Sequence, residues 1–141
     1  MNIIEKLFAL KKCPLFRSLE DGDLVLVADT ATPRTFAAGA PIAKAGTVLK
    51  QLLVVVRGTV IGEDSGDSQF PVLGIESLVL DASLKQGLHA GPAGATCLVL
   101  SKGHFFTIVN ECPEILTRYL ERESVEPGTG KFNPVKSIFL P

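Results

Sequence analysis

The sequence has few of the residues that metal centres, disulfide frameworks and membrane spans need. It contains two histidines and three widely spaced cysteines, Cys13, Cys97 and Cys112. An odd number of cysteines without a metal-ligand spacing predicts buried free thiols, not a disulfide framework or a zinc site. No apolar run approaches the roughly 20 residues of a membrane helix, and the N-terminus lacks the apolar core of a signal peptide. We therefore expect a cytoplasmic protein without membrane contact.

An excess of charge of one sign is also lacking. The 141 residues carry a net charge of −1, and the charged residues are scattered along the chain. Without a basic stripe, the sequence is unsuited to nucleic-acid binding on its own. The hydrophobic content of 46% and the length together predict a single domain with a substantial core.

Catalytic constellations are missing as well. A metalloenzyme built on a β-roll needs several converging histidine and carboxylate ligands, and only His89 and His104 are present. Ser77 does not lie in a Gly-x-Ser-x-Gly elbow, and the acidic residues of 63–68 lack the spacing of a calcium loop. We expect no metal site, no catalytic residue and no enzymatic activity.

The apolar pattern predicts helices at both ends and short strands between them. Helical spacing over residues 3–11 predicts a first helix, and a capping box starting at Ser18 predicts a second from about Glu20. From Arg34 onward, short apolar segments alternate with Gly and Pro, which is typical of an antiparallel roll, barrel or sandwich. The predicted buried stripe of the first helix consists of Ile3, Ile4, Leu7 and Phe8.

Residues 73–100 form the centre of the predicted fold. A glycine, Gly74, follows a strand and precedes a short helix over residues 74–80. A long polar connection over residues 81–94 then leads to a last strand over 95–100. Long connections usually carry function, and outward-pointing amides at such a turn can hold an anion. Arg57 and Gly58 are predicted to make a tight turn between two strands.

Further helices are predicted up to about Asn110 and from Cys112 onward, where proline and glutamate suit a first turn. We divide the chain into a domain over residues 1–123 and an extended tail over 124–141. Residues 131–141 of this tail contain five large apolar residues. It is expected to dock on its own domain or a second copy, or else in the groove of a protein partner.

The order of these elements resembles the cyclic-nucleotide-binding domain family. Residues 13–24 are similar to its Pro-Leu-Phe, Leu, Asp-Leu segment, residues 36–46 to its Gly-Ile-Gly signature, and residues 54–60 to its strand–glycine–strand step. The resemblance covers residues 1–123. It implies an α+β fold in which an antiparallel, jelly-roll-like β-roll of eight short strands is flanked by N- and C-terminal helices.

The phosphate-binding cassette of this family reads Gly-Glu-x-Ala/Ser-Leu and then Pro-Arg-Ala-Ala/Ser-Thr. Its glutamate accepts from the ribose 2′-hydroxyl, and its arginine pairs with the cyclic phosphate. Here Ile75 stands in place of the glutamate, with Glu76 one residue later, and Ala93 stands in place of the arginine. The ligand-binding positions implied by the resemblance are Gly74, Ile75, Glu76, Ser77, Leu78, Ala93, Ala95 and Thr96.

These replacements predict weak or lost cyclic-nucleotide binding. A charge-assisted bond to phosphate contributes about 1.5–3 kcal/mol, so its loss weakens binding by about tenfold to several hundredfold. We therefore expect a non-enzymatic regulatory or interaction module without a cofactor, acting through a protein partner or as a homodimer. The alternative is a sensor that binds a cyclic nucleotide or another small anion at the 74–78 turn, with Lys85, His89 or Glu76 supplying the missing groups. The sensor fails if Ile75 and Leu84 fill the pocket.

Overall fold

Four helices and five strands make up the part of the chain that the structure, a computed structural model, describes: residues 1–13, 15–17, 19–64 and 70–117. The helices are α1 (Ile3–Lys12), α2 (Asp21–Thr30), α3 (Ile75–Leu80) and α4 (Lys102–Glu111). The strands are β1 (Thr32–Phe36), β2 (Pro41–Ala43), β3 (Gln51–Gly62), β4 (Val72–Leu73) and β5 (Leu88–Ser101). This arrangement confirms the α+β class, with helices before and after an antiparallel sheet.

The sheet is built around two long strands. Its order is β1-β5-β3-β4, β2 also pairs with β5, and every pairing is antiparallel. The register between β3 and β5 shifts at Val55/Arg57 and again at Gly58/Val60. Such irregularities bend a strand and increase its twist. The two long strands therefore bend within the roll, and in the described residues they replace several of the eight short strands that were predicted.

The predicted turn at Arg57 and Gly58 is wrong, because both residues lie inside β3. Gly58 has a φ of +68°, and an added Cβ would overlap the carbonyl of Gly94 on β5. Gly58 is therefore required at a bulge where two strands approach closely, and it does not form a hairpin turn.

The loop predicted over residues 81–94 is also shorter than expected. The strand β5 begins at Leu88, which pairs with Gly62 of β3, while Ala90 pairs with Val60. Leu88 and Ala90 are buried and His89 between them is half-buried. This alternation is that of a strand with one face in a core, so the connection between α3 and β5 covers only residues 81–87.

The two faces of the sheet bury two separate cores. Side chains alternate along each strand, so Leu52 and Val54 of β3 face one core while Leu53 faces the other. We call the first the helix-side core, since it also contains Leu24 of α2 and Phe105 of α4. We call the second the roll interior; its buried members are Phe36, Leu53, Val60, Leu73, Leu88, Ala90, Ala95, Cys97 and Val99.

The first helix packs differently from its predicted stripe. Leu10 is fully buried and Leu7 packs against the helix-side core, but Ile4 and Phe8 are 59% and 64% exposed, and Ile3 is also exposed. The helix contacts α2, and Lys6 Nζ donates to the carbonyl oxygen of Ala31 at 2.8 Å. The apolar spacing therefore identified the helix correctly but assigned three of its four stripe residues to the wrong environment.

The remaining helix predictions are confirmed in outline. The second helix begins at Asp21 after Glu20, which makes no side-chain capping bond, and Ser18 of the predicted capping box lies outside the described residues. Ser101 caps α4 by accepting from the amide of His104 at 3.2 Å. Helical backbone resumes over residues 114–117. Residues 118–141, including the predicted tail, lie outside the description. No helix in the described ranges has the length and apolarity to cross a membrane.

Candidate functional site

The turn into α3 requires a glycine. Gly74 has a φ of +103° and is the residue that precedes the helix. A Cβ at this position would lie 2.7 Å from the carbonyl oxygen of Gln51 on β3. Because a left-handed φ and a close backbone approach coincide, only glycine fits without strain. The cassette position Gly74 thus has a structural explanation of its own.

The short helix α3 turns most of its predicted site residues inward. Ile75 and Leu78 are 4% and 2% exposed, and both belong to the helix-side core. The side chain of Ile75 is therefore used for packing at the position where the resemblance calls for a ribose-binding glutamate. Glu76, one residue later, is half-buried.

Ser77 stabilises the end of the same helix. It is 3% exposed, and its Oγ donates to the carbonyl oxygen of Ala82 at 2.8 Å. The carbonyl oxygen of Ser77 accepts from the amide of Asp81 at 2.9 Å, and Asp81 has a left-handed φ of 55°. The hydroxyl and the carbonyl oxygen of Ser77 thus both hold the chain as it leaves α3.

The connection from α3 to β5 is tied to the loop before β3. The Leu84 amide donates to the Thr47 carbonyl oxygen and the Leu84 carbonyl oxygen accepts from the Gly46 amide, both at 2.8 Å. The Leu84 side chain packs against the roll interior. Leu84, one of the two residues predicted to decide whether a ligand fits, therefore contributes an apolar side chain to the roll side of this connection.

Two of the polar residues proposed to replace the missing phosphate and ribose contacts, Lys85 and His89, lie in different structural elements. Lys85 is exposed in the connection between α3 and β5, whereas His89 lies within β5, opposite Pro41 and Ile61. His89 is consequently fixed by strand pairing on both sides.

The second half of the predicted cassette lies on a bulge of β5. Ala90 pairs with Val60 and Ala95 with Gly58, so residues 91–94 of β5 stand opposite a single residue of β3. Ala93 is exposed on this bulge. Gly94 has a φ of +79°, and a Cβ there would lie 2.8 Å from the carbonyl oxygen of Phe36.

Ala95 and Thr96 belong to the paired part of β5. Ala95 is buried in the roll interior between Phe36 and Gly58. Thr96 lies opposite Thr35, with the two side-chain oxygens 3.5 Å apart. The two halves of the predicted site therefore contribute to opposite faces of the sheet: α3 packs into the helix-side core and Ala95 into the roll interior.

The buried thiols are held in the neutral form. Burial raises the pKa of Cys97 to about 11, against the opposing effect of Arg34. Burial, and then a hydrogen bond to Asp23, raises the pKa of Cys112 to about 12. The Sγ of Cys112 donates to Oδ2 of Asp23 at 3.1 Å. Because the thiolate is the reactive species, neither cysteine is activated at neutral pH. All three cysteines are buried thiols outside any disulfide among the described residues, as predicted.

One feature was missed by sequence reasoning: a cavity of about 320 Å³ at the open mouth of the roll. Arg34 and Lys50 line it together with uncharged residues. The alternation of β1 contains a signal for it, since Arg34 is two residues before the buried Phe36 and so shares its face. No cluster of three or more metal-ligating side chains occurs in the described parts of the chain.

The fold has relatives among solved structures. The chain superimposes on the catabolite activator protein of Thermus thermophilus with a TM-score of 0.63 at 19% identity, covering 79% of this chain and 57% of that one. The match to PKAR CBD2 with Sp-2Cl-cAMPS bound has a TM-score of 0.70 at 14% identity, covering 88% and 90%. The match to a protein of a cyclic-GMP-dependent signalling pathway that regulates bacterial phytopathogenesis has a TM-score of 0.60 at 22% identity, covering 76% and 92%.

These similarities confirm the cyclic-nucleotide-binding domain fold that the sequence resemblance implied. No family model matches the sequence, and no curated protein matches it. The chain spans about three fifths of the Thermus thermophilus protein, 57% of its length.

Proposed function

We propose that this chain is a non-enzymatic regulatory or interaction domain that has kept the scaffold of a cyclic-nucleotide-binding domain and has weak or no cyclic-nucleotide affinity. The observation that carries the proposal is the burial of Ile75. At 4% exposure and within the helix-side core, its side chain offers no acceptor for a ribose hydroxyl.

The position of Ala93 supports the same conclusion. A methyl group on the exposed bulge of β5 cannot form the charge-assisted fork that a guanidinium makes with a phosphate. Leu84 adds an apolar side chain that packs against the roll interior from the connection after α3. At Ile75 and Ala93, apolar side chains thus stand where the cassette of the resembled family has its two charged groups.

Calorimetric titration of the full chain with cyclic AMP and cyclic GMP tests the proposal. We expect no saturable heat, which corresponds to a Kd weaker than about 1 mM and a binding free energy smaller than about 4 kcal/mol. A cyclic-nucleotide-binding domain of known affinity serves as the positive control. Micromolar affinity for either nucleotide would contradict the proposal.

The alternative, a sensor that binds a cyclic nucleotide at the 74–78 turn, can be tested with substitutions of its own. Should a cyclic nucleotide bind, Lys85→Gln and Glu76→Gln would show whether those side chains replace the missing arginine and glutamate. A loss of about tenfold or more in either variant, the scale of one charge-assisted hydrogen bond, would establish the 74–78 turn as a working anion site. Lys44→Gln, another exposed lysine, is a matched control for the loss of one positive charge.

A regulatory domain that lacks its usual ligand can still act through contacts with another protein or a second copy. Light scattering coupled to size-exclusion chromatography of the full chain distinguishes these two kinds of partner. A concentration-dependent dimer would favour the second copy, whereas a monomer at all concentrations would favour a different protein as the partner.

A further inference from the structure

The cavity at the mouth of the roll has the size and lining of a small-molecule site. Its volume of about 320 Å³ lies at the lower end of the range typical of ligand pockets, about 300–1,000 Å³. It opens between β1 and the segment that leads into β3. The lining residues are Arg34, Ile42, Leu49, Lys50, Gln51, Leu53 and Ser101.

The lining divides into an apolar floor and a polar rim. Leu53 belongs to the roll interior, and Ile42 and Leu49 pack against it. The rim carries Arg34 and Lys50, and none of the lining residues in the described part of the chain is acidic. A concave site with an apolar floor and a few convergent polar groups is the usual form of a small-ligand pocket.

Arg34 is oriented toward this cavity by its strand and by an aromatic ring. It lies on the same face of β1 as Phe36, and its guanidinium carbon is 4.9 Å from the centre of the Phe36 ring. On β5 it pairs with Cys97, a member of the roll interior. Stacking on a ring limits the freedom of the guanidinium while leaving its in-plane donors available.

Among the residues that the structure describes, the two cations of the rim have no carboxylate partner. The ion pairs of the described residues join Lys11 to Asp21, Arg57 to Glu5 and Lys102 to Asp81. Within that part of the chain, neither Arg34 nor Lys50 forms an ion pair. Two unneutralised cations at one cavity attract an anion and disfavour a cation.

The rim is also connected to α4. Ser101 lines the cavity and is the capping residue of this ten-residue helix. Its Oγ lies 3.0 Å from Nδ1 of His104 and accepts from the His104 amide. The partial positive charge at the start of α4 therefore adds to that of the two side chains.

We propose that this cavity binds a small organic anion. A carboxylate or phosphate head group contacts Arg34 and Lys50, and an apolar body lies against Ile42, Leu49 and Leu53. The planar fork of an arginine suits the bidentate geometry of both head groups. The site is separate from the 74–78 turn and does not depend on the proposed function, because it uses none of the cassette residues.

The test uses the full chain and three simple probes: phenyl phosphate, phenylacetate and uncharged benzyl alcohol. Calorimetric titration should show saturable binding of one or both anions and none of benzyl alcohol. Comparison of the two anions distinguishes a phosphate from a carboxylate ligand. Arg34→Gln should weaken binding by about tenfold or more, the scale of one charge-assisted hydrogen bond, and added salt should weaken it further.

Arg57→Gln is the matched control, since it removes another exposed arginine, whose partner is Glu5. It should leave the affinity of the anions unchanged. Arg34→Lys, which keeps the charge but not the fork, should weaken binding less than Arg34→Gln. Circular dichroism confirms that each variant is folded, and Lys50→Gln provides a second test at the rim should Arg34→Gln fail to fold.

Three results would overturn the proposal: no binding of either anion, equal binding of benzyl alcohol, or equal losses in the Arg34 and Arg57 variants. A cyclic nucleotide that binds the wild type at micromolar affinity and is unaffected by Arg34→Gln would instead contradict the proposed function and leave this site intact.

Discussion

The replacement Ile75→Glu restores the residue type that the cassette of the resembled family carries. It tests whether a glutamate at this position recovers nucleotide binding or destabilises the core. If the pocket is degenerate because one residue changed, glutamate should recover a ribose acceptor. The structure predicts the opposite. Ile75 is 4% exposed among Leu78 and other members of the helix-side core, so a carboxylate there is buried without a designed partner.

The cost has two parts. Removing the buried isoleucine side chain loses about 1.5–3 kcal/mol of apolar burial. The carboxylate must also leave water, which raises its folded-state pKa above its ordinary value of about 4.3. Each unit of that rise costs about 1.4 kcal/mol at a pH above the raised value. We expect a total loss of about 5 kcal/mol at neutral pH, a large fraction of the about 5–15 kcal/mol that stabilises a typical domain.

The pH dependence follows from the direction of the shift. A carboxyl with a raised folded pKa makes its full contribution to stability below its unfolded pKa and loses it as the pH rises toward the folded pKa. The free energy of unfolding of Ile75→Glu should therefore fall by up to about 3 kcal/mol between pH 5 and 7.5, relative to an uncharged control.

Urea denaturation at pH 5 and 7.5, followed by circular dichroism, measures this effect. Ile75→Gln is the control, because it has nearly the same shape as glutamate and does not titrate. The difference between the two variants should grow with pH. An Ile75→Glu variant as stable as the wild type at pH 7.5 would contradict the expected cost of burying a carboxylate at this position. Micromolar affinity of the same variant for cyclic AMP would also contradict the expectation that glutamate cannot recover a ribose acceptor there.

Three further predictions concern the residues around the same turn and the thiols. Gly74→Ala should destabilise the domain by about 1–3 kcal/mol, because position 74 has a positive φ. The control Gly22→Ala lies in α2, where nothing is near the added Cβ, and should be neutral or stabilising. Equal changes in unfolding free energy for the two variants in urea denaturation would refute this difference. Ser77→Ala should cost about 1–2 kcal/mol by leaving the Ala82 carbonyl oxygen unpaired, with the exposed Ser83→Ala as a neutral control. Because the pKa of Cys112 is raised from 9.0 to about 12, its contribution to stability is complete below pH 9 and is lost as the pH rises toward 12. Cys112→Ser should therefore show a shallower alkaline decline in unfolding free energy than the wild type, and parallel pH curves would contradict it.

Local patterns predicted the elements whose signals are short-range. The helix at residues 3–11, the short helix after Gly74 and the central strand through Val54 were all found, because spacing and glycine placement are properties of neighbouring residues. The exposure of Phe8 was not predicted. An apolar residue at helical spacing marks a helix face, but which face finds a partner depends on the position of α2, a tertiary fact.

The boundaries of the strands also depend on tertiary contacts that local sequence patterns do not predict. Gly58 and Gly91–Gly94 were interpreted as loop residues because glycine usually marks a turn. In the structure they form a bulge between β3 and β5, which exists only when both strands are paired. Similarly, Arg34 and Lys50 are 16 positions apart in the numbered sequence, and only closure of the roll places both at one cavity.

Some cassette residues match the resembled family and others depart from it. The two groups differ in their structural roles. Gly74 meets a backbone requirement, Ser77 pairs a carbonyl oxygen at the end of α3, and Leu78 fills the helix-side core. All three would be needed whether or not a ligand binds. The departures, Ile75 and Ala93, fall at the positions whose expected partners belong to the ligand. A match at Gly74, Ser77 and Leu78 therefore supports the fold and carries little information about ligand binding. The binding question depends on Ile75 and Ala93, and the proposed loss of the nucleotide site rests on these two residues.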